Sequence, residues 1–165
     1  MASPLGLSFS KRYWARWRVR RAAMLCWRKR AQIHYTQGLR RWSGLALQKR
    51  SRDGEYPSYA DCSAIDTWYL WDATRPYSLG DFVNGASWRA GFTGTMVQHG
   101  QRVLGPRPSR MLLGDQVFYG GTFAKPAHVA TYVGRGLVVS HGQEAGPLLL
   151  AWNYRAVQQV RRYIR

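Results

Sequence analysis

The chain has 165 residues, 45% of them hydrophobic, which suits one domain with a real core and excludes a disordered chain. Its 25 Lys and Arg against 8 Asp and Glu give a net charge of +17, and the 14 cations of residues 1–52 meet no acidic residue there. No stretch approaches the roughly 18 apolar residues of a membrane span. Two cysteines exclude a disulfide scaffold, and MASPLGLSFSKRYW lacks the basic start and apolar run of a secretory signal peptide.

The charge is segregated. Residues 53–165 carry eleven basic and eight acidic side chains and read as an ordinary, mildly basic domain. The first third attracts polyanions: nucleic acid, an anionic membrane surface or an anionic wall polymer. Within it, KRYWARWRVRRAAMLCWRKR (11–30) has no proline or glycine and predicts a helix, with Tyr13, Trp14, Trp17, Met24 and Leu25 as a loose apolar stripe. Cys26 lies in this helix with no partner in view and is read as non-catalytic. AQIHYTQ (31–37) predicts a short strand, and the glycine- and charge-rich stretch after it predicts a loop.

YADCSAIDTWYLWD (59–72) predicts a helix capped by Ser58 or Asp61, with Ala64, Ile65, Trp68 and Trp71 at helical spacing on one face. Residues 76–110 predict loops with one short helix near Thr95–Gln101. Strands follow: Val117–Tyr119, then AHVATYVGRGLVVSHG as a hairpin turning at Gly134-Arg135-Gly136, then a closing strand at Val160–Ile164.

A catalytic cysteine needs a route to thiolate, a base and an oxyanion hole. Cys62 at a helix start has the first and third nearby, because N-terminal amides stabilise negative charge. The base must be one of His34, His99, His128 and His141. No pair of them has zinc-site spacing, so neither a metal nor a cofactor is expected. His128 opens one hairpin strand and His141 closes the other. A two-residue loop, Arg135-Gly136, sets Ala130 opposite His141 and puts both histidines on one face. A three-residue loop from Gly134 to Gly136 instead gives Ser140 the His128 face and turns His141 away.

DCSA, GDQVFYGG and HVATYVGRGLVVSHG, in that order, resemble the NlpC-type peptidoglycan peptidases. That family's pattern is D-C-S-G, then G-D-L-V-F-F, then H-V-G-I-Y with a third polar residue on the next strand. IHYTQ, TGTMVQHG and VVSHGQEAGP are similar to its phage lysin branch. The resemblance spans about residues 31–165. It implies an α+β, papain-like fold, with the nucleophile at the start of a helix packed on an antiparallel sheet that carries the histidines. Residues 1–30 then form a basic helical arm outside the 31–165 peptidase domain.

By position, Cys62 resembles the nucleophile, His128 the general base, and His141 the third residue that orients the imidazole. Ser140 is the alternative third residue: it follows His128 by the even separation usual in the family, but orients an imidazole less strongly. Asp61 resembles the aspartate that lines the substrate site. Tyr59 is offset by one position from the tyrosine near the oxyanion hole. Ala64 replaces the usual glycine. Trp88, an exposed-type aromatic, and His99, within TGTMVQHG, complete the candidates for substrate contact.

The implied function is a cell-wall hydrolase: a cysteine endopeptidase acting on peptidoglycan stem peptides through a thioester, as a phage endolysin or virion-associated lysin. It would be made in the bacterial cytoplasm without a signal peptide and act at the wall after release or within a virion. The alternatives are an inactive basic binding or structural virion protein, and an amidase or acyltransferase on the same fold.

Overall fold

In the computed structural model, Ser8 opens α1 (Phe9–Arg28) by accepting a hydrogen bond from the Lys11 amide. The structure describes residues 5–143 and 145–165, so the first four residues of the expected arm and Glu144 lie outside it. β1 (His34–Tyr35) is only two residues long and pairs in parallel with β2 (Tyr59–Ala60). Between them the expected loop holds short 3-10 turns and one turn of helix, α2 (Ser43–Ala46). α3 runs from Cys62 to Thr74, and the short helix expected near Thr95–Gln101 lies earlier, as α4 (Thr93–Met96), with Gln101 already in a strand.

The strands that follow, β3 (Gln101–Arg102), β4 (Gln116–Tyr119), β5 (His128–Gly134), β6 (Leu137–Ser140), β7 (Leu148–Ala151) and β8 (Val157–Arg162), form one antiparallel sheet in the order β3-β8-β4-β5-β6-β7. Side chains alternate across it. Phe118, Val129, Val133 and Val139 join the core under α1 and α3, while Val117, Tyr119, Ala130, Tyr132, Val138 and Val160 form a second cluster.

Two helix expectations need correction. α3 has no single apolar face: every residue but Trp71 is buried, because the helix is held between α1 and β5. On α1 the buried residues are Ala15, Val19, Ala22, Ala23 and Cys26, not the aromatic stripe. Small side chains let two helices approach closely; indoles on that face would hold them apart. α1 is also built into the domain rather than standing off it as an arm. Arg16 donates to the Ile164 carbonyl (2.6 and 3.1 Å), Arg18 to the Tyr77 hydroxyl (3.0 Å) and Arg20 to the Val133 carbonyl (3.0 Å).

Candidate active site

Asp61 is the cap that starts α3. Its Oδ1 accepts from the Ala64 amide (2.7 Å) and the Ser63 hydroxyl (2.9 Å), and its Oδ2 pairs with Arg41 Nη1 at 2.6 Å. Arg41 also donates to the Gly91 carbonyl (2.8 Å), so one guanidinium joins the helix cap to the loop before α4. With both oxygens engaged, Asp61 builds the site. Tyr59, three residues before the cysteine, is half-buried under the Arg40 guanidinium, 3.7 Å above its ring, with His34 at 5.4 Å.

Cys62 follows the cap as the first residue of α3 and is buried. Burial, and then the Asp61 carboxylate, push its thiol up to about 12; hydrogen bonds from the Val129 and Ser63 amides oppose them only in part. The contact with Val129 sets the sulfur against β5 one residue beyond His128. The resting thiol is therefore neutral, and its proton has to leave during the reaction.

The hairpin register decides the rest. Ala130 pairs with Ser140, Thr131 with Val139 and Tyr132 with Val138; the pairing then slips at the turn, where Gly134 meets Leu137. Arg135 and Gly136 take positive φ in the two-residue loop, and the extra residue is Val133, a bulge between Tyr132 and Gly134. Ser140 thereby shares the His128 face. His128 Nε2 lies 2.8 Å from Ser140 Oγ, which lies 2.8 Å from the Tyr154 hydroxyl. Tyr119 backs the pair, its ring 6.0 Å from His128 and 5.0 Å from Tyr154, its hydroxyl bonded to the Trp152 carbonyl.

This corrects the preference for His141, which the register turns to the opposite face. There it is fully buried, edge-on to the Tyr35 ring with the ring centroids 5.5 Å apart. Neither ring nitrogen makes a hydrogen bond of ordinary geometry among the described residues. Burial lowers its pKa, and the nearby backbone of Ala60, Gly146 and His34 only partly opposes that. A second buried group, Asp66, sits one turn beyond Cys62; burial raises its pKa well above the usual carboxylate range and favours the neutral acid.

Trp88 and His99 are not brought to Cys62. Trp88 meets Phe82 edge-on at 5.3 Å and lines an open cavity of about 520 Å3 with Trp71, Arg75, Arg50 and Arg89. Trp71 is nine residues along α3 from Cys62, about 13 Å of helix axis. His99 packs on Gly85, where any added Cβ would meet the imidazole at 2.5 Å, and so braces a loop. A more apolar cavity of about 490 Å3, lined by Phe92, Gly94, Gln98, Lys125 and Pro126, lies nearer in the chain to the histidine. Thr93 ties its two walls through the Pro126 carbonyl (3.0 Å), two residues before His128. Among the described residues no group of three His, Cys, Asp or Glu is placed to hold a metal ion. Sequence reasoning missed Arg41 and Tyr154. Both act across the fold from irregular segments that carry no local motif.

No protein-family model and no curated protein matches the chain. Solved structures do. The peptidoglycan hydrolase RipB of Mycobacterium tuberculosis superposes with a TM-score of 0.63 at 18% identity, covering 100% of this chain and 74% of that one. NlpC2 of Trichomonas vaginalis gives 0.55 at 19% over 89% of this chain and 46% of that one, and the P60 domain of a Mycobacterium avium subspecies paratuberculosis antigen 0.52 at 17% over 91% and 98%. The fold is of the NlpC/P60 type. At these identities it is the fold that is shared. The chain spans less than half the length of the two Trichomonas structures it matches. In the NlpC/P60 fold seen here, the helix-start cysteine and the strand histidine belong to neighbouring elements, α3 and β5.

Proposed function

We propose that the protein is a cysteine endopeptidase that cuts the stem peptides of bacterial peptidoglycan, with Cys62 as nucleophile, His128 as general base and Ser140 as the residue that positions His128. The observation that carries this is the 2.8 Å contact between His128 Nε2 and Ser140 Oγ, on the strand whose next amide, Val129, meets the Cys62 sulfur. Ser140, itself bonded to the Tyr154 hydroxyl, holds the ring by Nε2.

In the reaction His128 takes the thiol proton as sulfur adds to the scissile carbonyl carbon. The oxyanion faces the N-terminus of α3, where the helix dipole favours negative charge. Collapse breaks the C–N bond, and His128 gives its proton to the departing amine. The thioester then reacts with water, deprotonated by His128, to release the acid and regenerate the thiol. The neutral resting thiol suits concerted proton transfer better than a standing thiolate–imidazolium pair.

The shared fold with RipB, itself described as a peptidoglycan hydrolase, supports the substrate class. The Phe92–Pro126 cavity is the proposed seat of the stem peptide. The motifs that resemble the phage lysins support an endolysin or virion-associated lysin, made in the bacterial cytoplasm and acting at the wall after release. Mass spectrometry of fragments from peptidoglycans of defined stem composition, beside Cys62→Ala, tests the reading. It expects one cleaved bond type from wild type and none from the variant. Equal digestion by both sinks it.

A further inference from the structure

α1 turns the usual helix inside out. Its inward face is Ala15, Val19, Ala22, Ala23 and Cys26, while the large aromatics of its N-terminal half face water and Trp27 packs half-buried against the core. Phe9 is 73% exposed, Tyr13 47%, Trp14 59% and Trp17 39%. Phe9, Tyr13 and Trp17 repeat every four residues, so they lie along one face, with Trp14 beside them. Tyr13 meets Trp14 edge-on at 5.5 Å and Trp17 at 6.4 Å, making a continuous aromatic ridge. Single exposed apolar side chains occur elsewhere, Leu39 and Leu104 among them, but a contiguous ridge of this kind marks a contact site.

All cations of the helix but the half-buried Arg12 fall into two sets. Arg16, Arg18 and Arg20 reach back to Ile164, Tyr77 and Val133 and fasten the helix to the domain. Lys11, Arg21, Arg28 and Lys29 are exposed along the helix, and no acidic side chain occurs anywhere in residues 1–52. The result is a rigid surface that is aromatic at one end and cationic along its length. A second copy of this chain is a poor occupant, because two such faces repel each other. Tryptophan and tyrosine favour the headgroup zone of a bilayer, where the ring is sheltered and its polar edge stays wet, and Lys and Arg pair with anionic headgroups there. A convex ridge can enter that zone, whereas a nucleic-acid strand is normally tracked by a groove. No helix among the described residues is long and apolar enough to cross a membrane, so α1 would lie in the plane of the interface.

We propose that the outward face of α1 docks the protein on an anionic phospholipid bilayer through Tyr13, Trp14 and Trp17, with the exposed cations of the helix supplying attraction. Docking is independent of the peptidase reading and is measured on full-length Cys62→Ala. Vesicles of phosphatidylglycerol and phosphatidylethanolamine should bind about 10-fold or more tightly than phosphatidylcholine vesicles, with a blue shift of tryptophan emission and quenching by brominated acyl chains. The triple variant Tyr13→Ser, Trp14→Ser, Trp17→Ser should lose about 10-fold in affinity and most of the quenching, with its circular dichroism spectrum unchanged. Lys11→Glu, Arg21→Glu, Arg28→Glu, which keeps the aromatics, should lose the preference for anionic vesicles. Equal binding to neutral vesicles overturns the proposal, as does wild-type binding by either folded variant. Duplex DNA binding that falls in the triple variant, with no vesicle binding by the parent, overturns it too and assigns the face to nucleic acid.

Discussion

Replacing Ser140 by alanine tests the hairpin register and the chemistry together. Ser140 Oγ sits 2.8 Å from both His128 Nε2 and the Tyr154 hydroxyl in a buried setting, so the change removes two hydrogen bonds at once. At about 0.5–1.5 kcal/mol each, the loss is about 1–3 kcal/mol. For a chain of this size that lowers Tm by about 2–12 °C. The catalytic cost is separate. Without its anchor the ring samples other rotamers and the wrong tautomer, and kcat should fall about 10- to 100-fold, equivalent to about 1.4–2.7 kcal/mol of barrier. The assay is steady-state cleavage of a soluble stem peptide below the Tm of every variant. Ser140→Thr keeps the hydroxyl and should recover most of kcat, which a purely structural defect would not explain. His141→Gln should stay within about threefold of wild type in kcat, because that ring does not reach His128. Full activity in Ser140→Ala beside a 100-fold loss in His141→Gln would refute the reasoning.

Three further outcomes follow from the same geometry. Arg41→Met should cost about 3–5 kcal/mol in a denaturant titration, since it strands the Asp61 carboxylate in a buried cap; a loss under about 1 kcal/mol would mean that the 2.6 Å pair is incidental. Burial lowers the pKa of His141, so its neutral form stabilises the fold above the ordinary value of about 6.5, and that stability is lost as pH falls through the folded value. Thermal melts should show a lower Tm at pH 5 than at pH 7.5, with a shallower drop in His141→Gln; an identical slope would exclude His141 as the cause. With the Cys62 thiol held near 12, its thiolate fraction at pH 8 is about 10⁻⁴. Iodoacetamide should therefore alkylate it at least about 10-fold more slowly than free cysteine, and the rate should still climb above pH 9. A plateau reached below pH 8 would show a preformed thiolate instead.

Much of the site was legible because its signals are local. Asp61 ahead of Cys62 reads as a helix cap, and it is one. The strand run from His128 and the glycine-bounded turn read as a hairpin, and they form one. The third residue was not legible. Gly134-Arg135-Gly136 permits two loop lengths; the loop is the two-residue one, but a bulge at Val133, which no turn residue announces, shifts the pairing so that Ala130 meets Ser140. The facing of α1 was hidden for a different reason. Hydrophobicity points to Tyr13, Trp14 and Trp17, but close approach to α3 selects small side chains, so the packing face carries little apolar signal. β7 escaped notice because Leu148, Leu149 and Leu150 run without alternation, as they do on a half-buried strand at the sheet edge. Arg41 and Tyr154 act over long sequence separations, which no motif records.

The central claim is that Cys62 attacks the substrate and carries its acyl half as a thioester. Acid-quenched enzyme, sampled during turnover of a stem peptide and digested for mass spectrometry, should show the acyl fragment on the peptide containing Cys62. The adduct should be absent from Cys62→Ala and lost on treatment with hydroxylamine. Continued cleavage with no adduct at Cys62, or cleavage by Cys62→Ala at the wild-type rate, would contradict the account.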